Sequence, residues 1–393
     1  MPVADEVSFE ALDLDPYPIY ARLRREDPIA YFPQMDAWMV TRWEDCQTVA
    51  GDSERFGGAT NHPTTHRVFG EPNILTADGD VHKELRASVD PHYRPRQVNT
   101  YVEGLTRPIA RAQVAAIVQR DDVELVNDFL EPISVLALAA VLGIPGLDAE
   151  TLQRWFHDLI TGSANEEQDP AKYAISDAAS AEIEARLDPL LEELAVQPND
   201  SAISHMLHDG MPPGQVRSRE WIYPSLKVII AGGMQEPGHG AASTMLGLLE
   251  NPDQLARVVA DGTLIPKAIS EGLRWIAPIG HCERQAFEDA EVAGVTIPAG
   301  QAINVMLASA NRDETIFDRP DDFDIDRKEK GHLAFGAGTH FCSGHYFARQ
   351  VERIALEELL EAFPKMRLDE DREVVVRGWV FRAPRKLPVR LHG

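Results

Sequence analysis

The chain has 393 residues, with 63 acidic against 38 basic side chains and a formal charge of −25. Apolar residues make up 44%, and the 27 glycines and 27 prolines are scattered, so collagen-like, low-complexity and disordered classes are excluded. The negative balance opposes non-specific attraction to nucleic acid and to anionic lipid, and neither is expected as a partner.

The N-terminus, broken by acids and prolines, has no basic segment leading into an apolar one, so no signal peptide is expected. Residues 29–41, IAYFPQMDAWMVT, read as two short strands around a turn at Met35 and Asp36, and Thr41-Arg-Trp-Glu44 reads as a capping box opening a helix. From about 98 to 260 the pattern is helical: Ile109, Val114, Ile117 and Val118 repeat at helix spacing, as do Ile183, Leu187, Leu190, Leu191 and Leu194 within 176–195. The apolar run Pro132–Leu147 is shorter than the ~20 residues a bilayer needs and reads as a buried helix. Ser163–Ala171 and Gly210–Gly214 read as loops. Strand signals return within Val292–Asn311, which is strands and turns, in Glu373–Arg377 and in Trp379–Arg382. Without a repeat or a composition break, one domain over 1–393 is expected, mainly α with small β-sheets. Cys46, Cys282 and Cys342, odd in number and far apart, make no disulfide framework and suit a reducing, cytoplasmic setting.

The most informative stretch is Phe335-Gly-Ala-Gly-Thr-His-Phe-Cys-Ser-Gly-His-Tyr-Phe-Ala-Arg349. A glycine-rich loop there runs into a helix whose apolar stripe is Phe347, Val351, Ile354, Ala355, Leu359 and Ala362, ending at Pro364. Cys342 falls at the start of that helix, where unpaired N–H groups and the helix dipole favour thiolate over thiol. Gly336, Gly338 and Gly344 allow close backbone approach and positive φ.

This spacing resembles the haem loop of the cytochrome P450 superfamily. The resemblance implies a triangular, helix-rich body with a smaller β-rich portion, haem b as cofactor and Cys342 as axial ligand of its iron, with Phe335, Gly336, His340 and Gly344 around it. It also covers Glu271-Gly-Leu-Arg274, Asn311-Arg-Asp313 and Phe323-Asp-Ile-Asp-Arg327, which look like the family's ion-pair cluster supporting the loop. His82-Lys-Glu-Leu-Arg86 places two cationic groups four apart on one helix face, and the match extends to Arg284 and His340, which implies that all four pair with the haem propionates.

Thiolate ligation favours O–O cleavage, so oxidation is the implied reaction class. The family's usual acid–alcohol step on its long central helix is missing. Gln235 and Glu236 stand there instead, within Val228-Ile-Ile-Ala-Gly-Gly-Met-Gln-Glu-Pro-Gly-His-Gly240. Pro237 and its flanking glycines are expected to kink or open the helix. Glu236, its pKa raised by desolvation, is read as a catalytic carboxylate that lets hydrogen peroxide serve directly as oxidant, the alternative being a cap or salt bridge of a distorted helix.

Gly-Met-Gln-Glu-Pro-Gly-His-Gly, Ser201-Ala-Ile-Ser-His205 and His208-Asp-Gly-Met-Pro-Pro-Gly-Gln215 resemble the actinobacterial aromatic O-demethylases of guaiacol-type methoxyphenols derived from lignin. That resemblance implies a small aromatic substrate, released as a phenol plus formaldehyde. Its pocket positions are Phe69, Leu75, Ser163 and Val228, and then Ala231, Gly232, Ile279 and Phe381. Ser163 and Ala231 stand where the guaiacol enzymes carry bulkier side chains, so syringol is expected before guaiacol. His281 reads either as a hydrogen-bond partner of a substrate oxygen or as part of the propionate network, and Met234, His239 and Cys282 as structural. The alternative reading is a reductase-dependent hydroxylase of another small aromatic or terpenoid; a haem sensor or rearrangement enzyme is a third. The motifs leave no space for a fused electron-transfer module, so a separate reductase is expected unless peroxide is used. It would dock near Arg349 on the cysteine-ligand face.

Overall fold

A computed structural model describes residues 3–58, 63–120, 122–165, 167–328 and 331–392. The two strands expected in 29–41 are Ile29–Phe32 and Ala37–Val40, antiparallel with Ile29 opposite Val40, and Asp36 takes φ 51° in the turn between them. Ala37–Val40 then pairs in parallel with Ala302–Val305, which pairs antiparallel with Cys282–Ala286, and Phe56–Gly57 closes this five-stranded sheet. A three-stranded sheet and two strand pairs complete the β part.

The following helix, Trp43–Gly51, is not opened by a capping box. The Thr41 hydroxyl donates to Pro28 O, and the first helical N–H, that of Trp43, donates to Asp313 Oδ2. A distant carboxylate thus replaces the local cap.

The body is built on the helix Arg219–Glu250, which packs against Glu131–Leu142, Ala149–Ser163, Ile265–Trp275 and His345–Ala362. Apolar and small residues surround it on all sides, as a helix at the centre of a core requires. Glu131–Leu142 is the buried helix expected from the apolar run, but it stops short of Leu147. Gly143 takes φ 81°, its N–H donates to Ala140 O, and the N–H of Ile144 donates to Ala139 O, a Schellman stop. Pro170–Val196 is the long helix expected around 176–195, and both Ser163 and Ala171, the ends of the expected loop, are helical.

The central helix is neither broken nor opened at Pro237. Its glycines serve close packing instead. A Cβ at Gly233 would come within 2.9 Å of Leu138 Cδ2, and one at Gly238 within 3.2 Å of Glu131 Cα. The Ser134 hydroxyl also donates to Met234 O at 2.6 Å. Contacts from the neighbouring helix therefore hold the segment helical against the proline.

Two further expectations are corrected. Trp379–Arg382 is not a strand: Gly378 turns the chain with φ 98°, only Phe381 makes an isolated bridge, and the strand is Ala383–Lys386. Val292–Asn311 contains a short helix, Leu307–Ala310, after its strands.

Candidate active site

The helix carrying the candidate ligand loop is His345–Ala362. Its buried stripe is Phe347, Val351, Ile354, Ala355 and Leu359, but Ala362 is exposed and Phe363 closes the stripe in its place. Cys342 lies three residues before the first helical residue. Its N–H donates to Phe335 O at 3.0 Å, which folds the loop back over Gly336 and Gly338, both at φ 71°. A Cβ at Gly338 would sit 2.4 Å from Ala50 O, so only glycine lets the loop lie on the neighbouring backbone.

The sulfur borders open space yet is ringed by protein. Burial raises its pKa to about 11; the N–H groups of Gly344 and His345 and the charge of Arg86 lower it, while Glu236 raises it. In the chain itself burial thus outweighs the helix terminus, contrary to the expectation of a ready thiolate; a bound metal reverses that balance by taking the sulfur deprotonated.

The loop is tied down from several directions. Arg86 Nη1 donates to Phe341 O at 2.9 Å and to Thr339 O at 3.3 Å. Asp90, one turn on, accepts from Arg86 Nε and from the Ser343 hydroxyl, both at 2.7 Å. Leu333 N donates to Asn311 Oδ1 at 2.7 Å, and Arg274 Nη1 donates to Asn311 O at 3.0 Å. Arg274 in turn meets both oxygens of Glu271, at 2.7 and 2.8 Å, and Arg327 Nε donates to the same carboxylate at 3.0 Å. The expected ion-pair cluster is present and buried. Arg349 is not a free docking charge, because it stacks on Phe335 and meets His332 Nε2 at 2.7 Å.

His82 and His340 come together with ring centroids 4.2 Å apart. His82 is 5% exposed, and burial, then His340 and Arg86, push its pKa down to about 4. Asp78 accepts from Gly58 N at 2.9 Å and meets His340 Nε2 at 3.3 Å, and those bonds outweigh burial and hold its carboxyl below the ordinary range. His82 Nε2 and His340 Nδ1 are buried with no protein hydrogen-bond partner. Arg284 is 4% exposed, donating from Nη1 to Glu283 O. Two inward imidazole nitrogens, two arginines and a thiol beside open glycines fit a flat, anionic, thiolate-ligated group.

On the central helix Glu236 presents two carboxylate oxygens that are buried without a protein partner, and burial pushes its pKa well up. It stands within electrostatic reach of Cys342. A Cβ at Gly232, one turn earlier, would meet only Glu236 Oε2, at 3.7 Å, so this glycine leaves room beside the carboxyl. Gln235 is 1% exposed, its Nε2 also without a protein partner.

Among the pocket residues, Phe69, Val228 and Ala231 join one apolar cluster. Gly70 rests on Pro224, and a Cβ at Gly162 would meet Val68 at 2.8 Å, so the helix Pro63–Phe69 is wedged between the central helix and the end of Ala149–Ser163, where Ser163 is half-buried. Ile279 and Phe381 are bridged across the chain, and His281 stacks on Trp379 at 5.0 Å. Leu75 stands apart: the turn in which Asn73 Oδ1 accepts from Leu75 N and Thr76 N leaves it 48% exposed. Asp78 and Asp90 were not singled out from sequence, although the i, i+4 spacing of Arg86 and Asp90 was available.

A cysteine at a glycine-rich helix entry, backed by a buried ion-pair cluster and facing a long central helix, defines a haem-thiolate site. The family model described as cytochrome P450 matches residues 258–378, and the putative cytochrome P450 YjiB of Bacillus subtilis is 30% identical over 354 residues, covering 89% of this chain and 88% of that protein. The chain belongs to the cytochrome P450 monooxygenase family, whose cofactor is haem b held by a cysteine thiolate. It is also similar to the 6-deoxyerythronolide B hydroxylase of Saccharopolyspora erythraea, 28% identical over the whole of both chains. Among solved structures, the versatile cytochrome P450 enzyme CYP109B1 from Bacillus subtilis superposes with a TM-score of 0.84 at 28% identity, covering 96% of this chain and 100% of that one. The expected helix-rich fold with small sheets is thus met. Among the described residues no helix is long and apolar enough to cross a membrane.

Proposed function

We propose that this chain, acting as one domain, O-demethylates small methoxyphenols, syringol before guaiacol, with hydrogen peroxide as the oxidant. The reading rests on one observation: a buried carboxylate without a protein partner, Glu236, faces the Cys342 side from the central helix, beside the space left by Gly232. Cys342 holds the iron, and His82, Arg86, Arg284 and His340 hold the propionates. Bound haem supplies the two-electron oxidation of the O-methyl C–H bond. Glu236 takes the proton from one oxygen of the peroxide and returns it to the other, which leaves as water. The hydroxylated methyl carbon then parts from the ring oxygen, so that syringol and one peroxide give a methoxycatechol, one formaldehyde and one water. Phe69, Val228, Ile279 and Phe381 wall the ring, and the small side chains of Ser163, Ala231 and Gly232 leave room for a second methoxy group. His281 and Gln235 offer polar contacts to the pocket, from which Leu75 stands apart.

A second reading is hydroxylation of another substrate with electrons from a separate reductase. It is favoured by the likeness to a protein named 6-deoxyerythronolide B hydroxylase. Formaldehyde release from syringol, with peroxide as the only oxidant, separates the two. Glu236→Gln is expected to lower that release by roughly 10²–10⁴-fold, the range for a positioned acid–base group. Unchanged release in that variant would overturn the role of the carboxylate, and no release from either methoxyphenol with peroxide or a reductase would overturn O-demethylation.

A further inference from the structure

Burial that makes Glu236 useful near the iron also cuts it off from water. A carboxyl that has taken a proton and not returned it is silent as a base until that proton leaves. One helical turn further on, His239 is fully buried, and its Nε2 meets Glu131 Oε1 at 2.9 Å. The other oxygen of Glu131 accepts from Gln153 Nε2 at 3.0 Å and lies 3.7 Å from His157 Nε2. Glu131 is 2% exposed, whereas the His157 side chain is 49% exposed. A line of titratable atoms therefore runs from the surface of Ala149–Ser163, through the start of Glu131–Leu142, to the central helix.

At its inner end, His239 Nδ1 is buried with no protein partner. Glu236 and His239 are three residues apart on one helix, about 5–6 Å between Cβ atoms, and so neighbours on one helix face, with water as the link between them. Gly238 permits the crossing, since any side chain there would press on the Glu131 backbone. Arg385, from Ala383–Lys386, faces both Glu131 and Glu236, with Asp13 and Arg382 beside it, and Asp158 lies next to His157. Burial raises the Glu131 carboxyl, but the nearby His157 and the bond with His239 outweigh it and hold it ionised, while burial lowers His239. An ionised acceptor between two imidazoles suits proton transfer better than a neutral one.

The geometry points to a proton conduit, His157–Glu131–His239, that exchanges the Glu236 proton with solvent. This rests on the reading of Glu236 as the distal acid–base group. In the outward direction Glu236 gives its proton through a water to His239 Nδ1, His239 releases the one on Nε2 to Glu131 Oε1, and the Glu131 carboxyl turns to bring that same proton to His157 Nε2, whereupon His157 yields the proton on its Nδ1 to water. One proton leaves and each relay group returns to its starting charge. His239, read from sequence as structural only, acquires a positioned role in proton movement.

The test is hydrogen–deuterium exchange of the protonated Glu236 carboxyl in the haem-loaded protein, followed by infrared spectroscopy after rapid mixing into D2O and assigned by the band that Glu236→Gln removes. His157→Gln, at the half-exposed mouth, is the variant least able to disturb the fold, and Glu131→Gln is the second. Exchange is expected to slow by at least about tenfold in both, a lower bound on the 10²–10⁴ of a positioned proton-transfer group. Exchange as fast as wild type in both variants would overturn the conduit while leaving Glu236 as the distal base. If instead formaldehyde release survives Glu236→Gln, the reading of Glu236 fails, and the exchange rates still decide whether the conduit exists.

Discussion

The ligand loop and the central helix face the same space but are built by opposite rules. Around Cys342 the loop is tied down by two sets of short bonds, Arg86–Asp90–Ser343 and Asn311–Arg274–Glu271, although His82 Nε2, His340 Nδ1 and Asn311 Nδ2 stay without a protein partner. Across from it, Glu236, Gln235 and His239 each keep a buried polar atom without a protein partner. Burying such atoms costs about 1–3 kcal/mol each. The paired charges of the loop make a scaffold suited to holding a group still, and the open carboxyl, amide and imidazole of the central helix make a wall suited to meeting reactants. Changes to the first should break binding or folding, and changes to the second should leave the fold and alter chemistry.

The largest effect expected from the scaffold side is that of Cys342→Ala. With the single thiol of the loop removed, activity should fall below detection and the haem-to-protein ratio of the purified protein should drop. The helical circular dichroism should stay, because the substitution keeps the backbone bonds of Cys342 to Phe335 and His345 and removes no core packing. Full haem retention with wild-type activity would show that another group holds the iron.

Glu271→Ala tests the same side through stability. It strips the carboxylate from two arginines at once, Arg274 at 3% exposure and Arg327, and leaves a buried cation without its partner. Breaking a buried pair in this way costs about 3–5 kcal/mol, to be read as a fall in the urea midpoint. A loss under about 1 kcal/mol would place this cluster with ordinary surface pairs.

The two sides also differ in how far the sequence revealed them. The loop was legible because its chemistry is local: Gly336, Gly338, Cys342 and Gly344 fall within nine consecutive residues and the helix stripe follows directly, while Glu271 and Arg274 fall within four. Pro237 misled because local propensity predicts a break, while Ser134 and Leu138, about 100 residues earlier, hold the turn closed. The Glu131–His239 pair spans 108 residues and has no spacing signature, since it exists only once two helices cross at Gly238. The cap of Trp43–Gly51 was misassigned for the same reason, its carboxylate arriving from Asp313. What sequence hides here is long-range polar pairing.

The smallest effect is also the sharpest contrast, because it compares two glycines by the same substitution. At Gly338, in the ligand loop, φ is 71° and a Cβ would meet Ala50 O at 2.4 Å, a backbone atom that cannot step aside. Gly338→Ala should therefore destabilise, the left-handed backbone alone costing about 1–2 kcal/mol. At Gly232 the backbone is helical and the new methyl would find only Glu236 Oε2, at an ordinary 3.7 Å. Gly232→Ala should raise stability by roughly 0.5–1 kcal/mol through helix propensity. Its cost should appear in chemistry, because the methyl takes space beside the carboxyl, raising the KM for syringol more than that for the smaller guaiacol. Thermal melts and the two KM values measure both halves. If Gly232→Ala lowers the melting temperature as Gly338→Ala does, the central helix is as tightly committed at this point as the loop, and the division between holding side and reacting side fails there.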